Sequence, residues 1–213
     1  MIHSYQICVP RWIVSSYSPS ASSSVRSPFR TASSAPNANW LERIATETPE
    51  GLLNIKETAA ASPRVAAISW GIEDLSAAMG LPRTRDAEGR FLDIPRHARV
   101  MCAVAASAAG VEAIDTVYTD IHDLEGLRRE CQEAVWMGFS GKTSIHPGQL
   151  AVINEVFTPS RVEAEEAVAL ISAFEAEARR GTGAFAWKGQ MMDMPHLTRA
   201  RKIAERARRA GVL

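Results

Sequence analysis

From Leu41 onward, short apolar runs alternate with amphipathic segments, and the alternation has a regular order. Arg43 to Thr48 reads as a strand and Gly51 to Ala61 as the helix after it. Val65 to Trp70 is a near-continuous apolar run closed by Gly71, the pattern of a strand covered on both faces. A polar loop through Arg83 to Arg90 leads to Asp93, which can cap a helix with Pro95 near its first turn and Gly110 at its end. Ala113 to Tyr118 gives a third strand, and Asp123 can cap a helix ending near Gly138. A fourth strand is expected over Lys142 to Ile145, ending where an Ile-His-Pro-Gly turn presents His146. Successive β-then-α units of this kind predict a parallel sheet or barrel.

Beyond Thr158 the pattern reads as purely helical. Ser160 and Glu163 form an S-x-x-E capping box, after which Ala167, Leu170, Ile171, Phe174 and Ala178 recur with helical spacing. A last helix from about Pro195 carries Arg199, Arg201, Lys202, Arg206, Arg208 and Arg209. That basic face reads first as a solvated surface near a helix C-terminus and second as a phosphate contact.

The first 40 residues are of another kind. Ser15 to Pro36 is dominated by serine, with Pro19, Pro28 and Pro36, and no acidic residue precedes Glu42. Such a stretch buries too little apolar surface to offset its ordering entropy, so 1–40 is expected to be disordered or unrelated to the rest of the chain. Arg11, Arg26 and Arg30 among serines also fit an organelle transit peptide; a linker or an altered reading frame is the plainer alternative. The expected organisation is therefore 1–40, an α/β domain over 41–158, and a helical extension over 159–213.

The chain has 213 residues, 46% hydrophobic and 23% charged, with no formal net charge. That balance implies no broad basic field for nucleic acid. Cys8, Cys102 and Cys131 are odd in number and far apart, which fits neither a disulfide framework nor a zinc site and favours a reducing compartment such as the cytoplasm. The mitochondrial matrix is the alternative if 1–40 is a transit peptide. No apolar run approaches the roughly 20 residues a membrane-spanning helix needs, so no membrane association is expected.

If the strands are parallel, side chains just past their C-terminal ends converge on one rim, where α/β proteins place their chemistry. Those positions hold Glu47 in ATETPEG, Glu73 and Asp74 in WGIEDL, Asp120 and Asp123 in YTDIHD, and then His146. Paired carboxylates with water suit Mg²⁺, a hard ion that prefers oxygen ligands. The competing reading makes Asp74 and Asp123 helix caps, Glu47 a solvated loop acid and His146 a hydrogen-bonded structural histidine.

Five ordered segments, ATETPEGLLNIKE, RVAAISWGIEDLSAAMG, GVEAIDTVYTDIHDLEGL, GFSGKTSIHPGQLAVINEVFTPS and GAFAWKGQMMDMPHLTRA, together resemble the C-terminal half of one family. It is the HpcH/HpaI aldolase or citrate lyase beta-subunit family, of the malyl-CoA or citramalyl-CoA lyase type. The resemblance implies a (β/α)8 TIM barrel, here only its second half plus C-terminal helices, and an assembly of several subunits. It further implies Mg²⁺-dependent cleavage of a 3-hydroxyacyl-CoA ester to acetyl-CoA or propionyl-CoA and an oxo acid. By the match in ETPEG, Glu47 would be one metal ligand; by the match in GIEDL, Asp74 would be the other. Asp193, in GQMMDMP, matches the acid that such enzymes supply across a subunit interface; its other reading is a helix N-cap. Phe185 and Trp187 in the same tail read either as a CoA contact or as core.

Full members of that family carry further barrel strands ahead of the ETPEG strand, with a substrate-binding arginine and a Leu-Glu-Asp run. Residues 1–40 show no counterpart of either, so Arg11, Arg26 and Arg30 receive no such role. Two functions stay open from the sequence: a lyase on an acyl-CoA substrate, either completing its barrel from two copies or inactive as a truncated chain, or a non-catalytic half-barrel that binds a partner or regulates one.

Overall fold

The computed structural model describes residues 41–213. The expectations for 1–40, including the transit-peptide reading, lie outside the described residues. The described residues fall into two compact units, 41–157 and Thr158–Leu213.

The first unit is α/β. Four strands, β1 (Leu41–Ile44), β2 (Val65–Ser69), β3 (Glu112–Asp115) and β4 (Gly141–Lys142), pair in parallel in the order β1-β2-β3-β4. The connections carry α1 (Pro49–Leu53), α2 (Ile55–Ala60), α3 (Ile72–Met79), α4 (Asp93–Ala109) and α5 (Leu124–Met137), and α6 (Leu150–Phe157) follows β4. The core joins Ile68, Trp70 and Ala113 from the sheet side to Ala98, Cys102, Leu127 and Cys131 from the helices, all buried. Such residues contribute about 1.5–3 kcal/mol for each large side chain removed from water. Burial pushes the Cys131 thiol up to about 12 and the Cys102 thiol higher still, so both act as packing groups.

Several boundaries differ from the sequence reading. The first helix breaks at Asn54, whose side-chain amide donates to the Glu50 carbonyl at 3.0 Å, the competing local bond that makes asparagine a helix interrupter. Leu92, not Asp93, is the N-cap of α4. The fourth strand ends at Lys142, because Ser144 Oγ turns back to donate to the His146 carbonyl at 2.9 Å.

The second unit is not purely helical. Between α7 (Arg161–Arg179) and α8 (Met194–Arg209) lies an antiparallel hairpin of β5 (Phe185–Trp187) and β6 (Gln190–Met192). Its two-residue turn, Lys188 and Gly189, has positive φ at both positions, as a hairpin turn matching strand twist requires. The predicted Ser160–Glu163 capping box opens α7. Phe185 meets Phe174 edge-on at 4.8 Å beside a cluster that includes Leu170, Met192 and Leu197, and Trp187, also partly buried, packs against the same cluster.

Candidate functional site

The ends of β1, β2 and β3 are tied together by side-chain oxygens that receive backbone amides. Past β1, the Ala45 amide still donates to the Ser69 carbonyl at 2.8 Å. Buried Thr46 then accepts the Gly71 amide on its Oγ1 at 3.3 Å, and Glu47 emerges exposed on the rim. Thr48 caps α1 by accepting the Gly51 amide at 3.0 Å, and Pro49 takes the first helical position. A Cβ on Gly51 would come within 2.9 Å of the Ala45 carbonyl oxygen, which gives that glycine of the ETPEG run its physical reason.

Glu47 and the start of α3 meet at Gly71, the N-cap of α3: a Cβ there would lie 3.1 Å from Glu47 Cγ. The first turn of α3 carries Glu73 and Asp74, so the cap reading of Asp74 is replaced by an in-turn, solvent-facing position. Glu47 and Asp74 are both exposed and, among the described residues, free of ion pairs. The donor set suits a hard divalent cation, since Mg²⁺ is held through one or two carboxylates while keeping several waters. No cluster of three or more His, Cys, Asp or Glu ligands occurs among the described residues, so a structural zinc-type cage is not what the rim offers.

Directly beneath the rim sits a buried ionic cluster that the sequence did not reveal. Asp115 and Lys142 are register partners on β3 and β4, so their side chains leave the sheet on the same side. Asp115 Oδ2 accepts from Arg99 Nη2 at 2.9 Å and Lys142 Nζ at 3.1 Å. Asp115 Oδ1 accepts from Trp70 Nε1 at 2.8 Å and Arg99 Nε at 3.2 Å. Lys142 also donates to Glu130 Oε1 at 2.7 Å, and Arg85 reaches Glu130 Oε2 at 2.6 Å. Burial alone would raise the Asp115 carboxyl, but Lys142 and Arg99 outweigh it and hold the group below the usual carboxylate range.

Around the ends of β3 and β4 the polar groups are structural. Asp123 caps α5, accepting the Gly126 amide at 2.8 Å and the Tyr118 hydroxyl at 2.8 Å; burial and then that carboxylate push the Tyr118 phenol up to about 12. Asp120 accepts the amides of His122 and Asp123. His146 Nδ1 accepts the Gly148 amide at 3.1 Å, capping the short 3-10 turn Pro147–Gln149. Gln149, fully buried, receives the Ile145 amide at 3.1 Å and donates to the Tyr118 carbonyl at 2.8 Å, joining the loops after β3 and β4.

In the second unit, Asp193 is the N-cap of α8. Its Oδ1 lies 2.6 Å from His196 Nδ1, and the Asp193 backbone amide donates to that same nitrogen at 3.3 Å. Both side chains remain more than a third open to solvent. The sequence reading passed over His196, although Asp193 and His196 have the spacing of N-cap and third helical residue.

The model of the HpcH/HpaI aldolase/citrate lyase family matches residues 20–147. Mouse mitochondrial citramalyl-CoA lyase is 42% identical over 165 residues, covering 74% of this chain and 47% of that protein. The citrate lyase subunit beta-like protein of Mycobacterium tuberculosis H37Rv is 40% identical, covering 76% of this chain and 57% of that one. The crystal structure of Mycobacterium tuberculosis CitE with magnesium, acetoacetate and coenzyme A aligns with a TM-score of 0.67 at 37% identity, over 84% of this chain and 62% of that one. A Burkholderia xenovorans citrate lyase, 24% identical with a TM-score of 0.69, shares the fold. The chain spans about half the length of the curated relatives it matches.

Proposed function

The chain belongs to the HpcH/HpaI aldolase/citrate lyase family, and from that premise we propose that it carries the metal-binding rim of a carbon-carbon lyase acting on a 3-hydroxyacyl-CoA ester. The observation that carries the proposal is the meeting of exposed Glu47 with the first turn of α3, bearing Asp74, at Gly71. The four parallel strands are then the second half of a (β/α)8 barrel, and the full assembly contains several copies of the chain. Magnesium, which is bound in the CitE crystal structure, would supply Lewis acidity toward the substrate's carboxylate and hydroxyl oxygens.

In this reading the chain's own residues have simple tasks. Glu47 and Asp74 present oxygens to the metal. Asp193 handles the proton at the α-carbon: in condensation its carboxylate removes one, and in cleavage its protonated form gives one to the enolate of the departing acyl-CoA while the substrate's hydroxyl proton leaves to solvent. His196, whose Nδ1 lies 2.6 Å from Asp193 Oδ1, fixes the orientation of that carboxyl. Support for this class of ester comes from the relatives, which include a citramalyl-CoA lyase and an L-malyl-CoA/beta-methylmalyl-CoA lyase.

A second reading has a specific observation behind it. Among the described residues, β1 and β4 are both unpaired sheet edges, and such edges invite another strand. A half-barrel of that kind would serve as a partner-binding or regulatory subunit. The test is acetyl-CoA release from citramalyl-CoA and malyl-CoA with and without Mg²⁺. The lyase reading expects release that requires Mg²⁺ and is lost in Asp193→Asn. Absence of release from a folded, metal-binding protein decides for the second reading.

A further inference from the structure

The two backbone amides at the start of α3 are both held by side chains from neighbouring strand ends. Thr46 Oγ1, beyond β1, accepts the Gly71 amide at 3.3 Å; Thr116 Oγ1, beyond β3, accepts the Ile72 amide at 3.4 Å. These are among the amides that a helix leaves without internal partners, and here they are claimed from both sides. The residue just before them, Trp70, is fixed as well. Its indole N–H donates to Asp115, and its ring stands edge-on to Phe91 at 5.3 Å.

Asp115 has no freedom to follow a moving indole. Its two oxygens receive four hydrogen bonds, from Trp70, twice from Arg99 and from Lys142, and the residue is fully buried. Arg99 is further anchored on the Glu130 carbonyl at 3.0 Å, and Lys142 on the Glu130 carboxylate. Lysine on β4 and arginine on α4, both anchored by Glu130 on α5, thus converge on one carboxylate, which holds the residue entering α3. The next residue on β3's trailing end, Thr116, holds α3 itself.

We propose that Asp115 and Thr116 are positioning residues for the metal: through Trp70 and the Ile72 amide they set the entry of α3, and so the direction in which Asp74 presents its carboxylate. The inference rests on the reading of Glu47 and Asp74 as metal ligands. Neither Asp115 nor Thr116 touches the ion. Their role is to hold a ligand that sits in the first turn of a helix only eight residues long, whose orientation otherwise depends on the packing of Ile72 and Leu75.

Calorimetric titration of the full chain with Mg²⁺ and, separately, with Ca²⁺ tests this. Mg²⁺ demands near-octahedral geometry whereas Ca²⁺ tolerates irregular sites, so a ligand held loosely penalises Mg²⁺ more. Thr116→Val, which keeps the shape and removes the acceptor, is expected to weaken Mg²⁺ binding roughly tenfold, in the range seen for groups that support metal ligands. Ca²⁺ binding should weaken less, and Thr116→Ser should restore the wild-type preference. Trp70→Phe, which removes the indole N–H, should shift the ratio the same way and stands in if Thr116→Val does not fold. A merely structural role would lower the melting temperature and leave the Mg²⁺ to Ca²⁺ ratio of the folded protein unchanged, and that result overturns the proposal. Loss of Mg²⁺ binding in Glu47→Gln beside wild-type binding in Thr116→Val and Trp70→Phe removes the positioning role alone. No Mg²⁺ binding to the wild-type chain removes the metal reading and the positioning role with it.

Discussion

Glu42 gives the sharpest quantitative prediction. It sits on edge strand β1, in register with Ala67, and its Oε1 is buried without a hydrogen-bond partner. Burial pushes its carboxyl from the ordinary 4.5 up to about 7, with Ser69 offsetting part of the effect. The native state therefore holds its proton over a range where the unfolded chain has released it. Below the ordinary value both states are protonated and the group costs nothing. As pH rises from 4.5 toward 7, stability falls, and above 7 the loss is complete. A gap of 2.5, from 4.5 to 7, corresponds to about 3–4 kcal/mol at about 1.4 kcal/mol per pH unit. Glu42→Gln removes the ionisation. Urea unfolding of both proteins should show near-equal stability at about pH 4 and an advantage of about 2–3 kcal/mol for the variant at about pH 8, less whatever the unpaired amide costs. The difference between the two curves isolates Glu42 from every other group in the chain. Parallel curves for the two proteins from acid to alkaline pH would refute the argument.

Three further outcomes are expected. Lys142→Met leaves Asp115 with one fewer cation in a fully buried site and should cost about 3–5 kcal/mol in denaturant unfolding, far more than Arg128→Ala at the exposed Arg128–Glu155 pair, which should cost under about 1 kcal/mol. Gly126→Ala drives a methyl into Asp123 and the Tyr118 hydroxyl, breaking the α5 cap, and should lower stability by about 2–4 kcal/mol. Because Asp115 titrates below the ordinary carboxylate range, its contribution is present above that range and lost as pH falls through its lowered value; acid unfolding of Asp115→Asn should lack that component.

The features legible in the sequence were those written in contiguous residues. Val65–Ser69 was readable because a buried strand shows as an apolar run, and the caps of α5 and α7 were readable because Asp123 and Ser160 act within three residues of their partners. The hairpin at 185–192 was not, since Phe185, Trp187 and Met192 pack within a cluster built by helices and show no clean alternation of their own. Lys188–Gly189 was the available signal, a turn dipeptide between two short runs. The support beneath the rim was invisible for a different reason. Trp70, Arg99 and Lys142 lie 16 to 45 residues from Asp115 along the chain, and the parallel register brings them to one point. The family resemblance singled out Glu47, Asp74 and Asp193 as candidates, but contiguous sequence does not show what holds Asp74 in place or that His196 faces Asp193.

The central claim is that Glu47 and Asp74 hold one divalent cation together. Electron paramagnetic resonance of Mn²⁺ titrated into the folded chain measures this directly, because free and bound ions give different signals. The account predicts one bound ion per chain, displaced by Mg²⁺ and lost in both Glu47→Gln and Asp74→Asn. Binding that survives either substitution unchanged, or a folded wild-type chain that binds no ion, would contradict it.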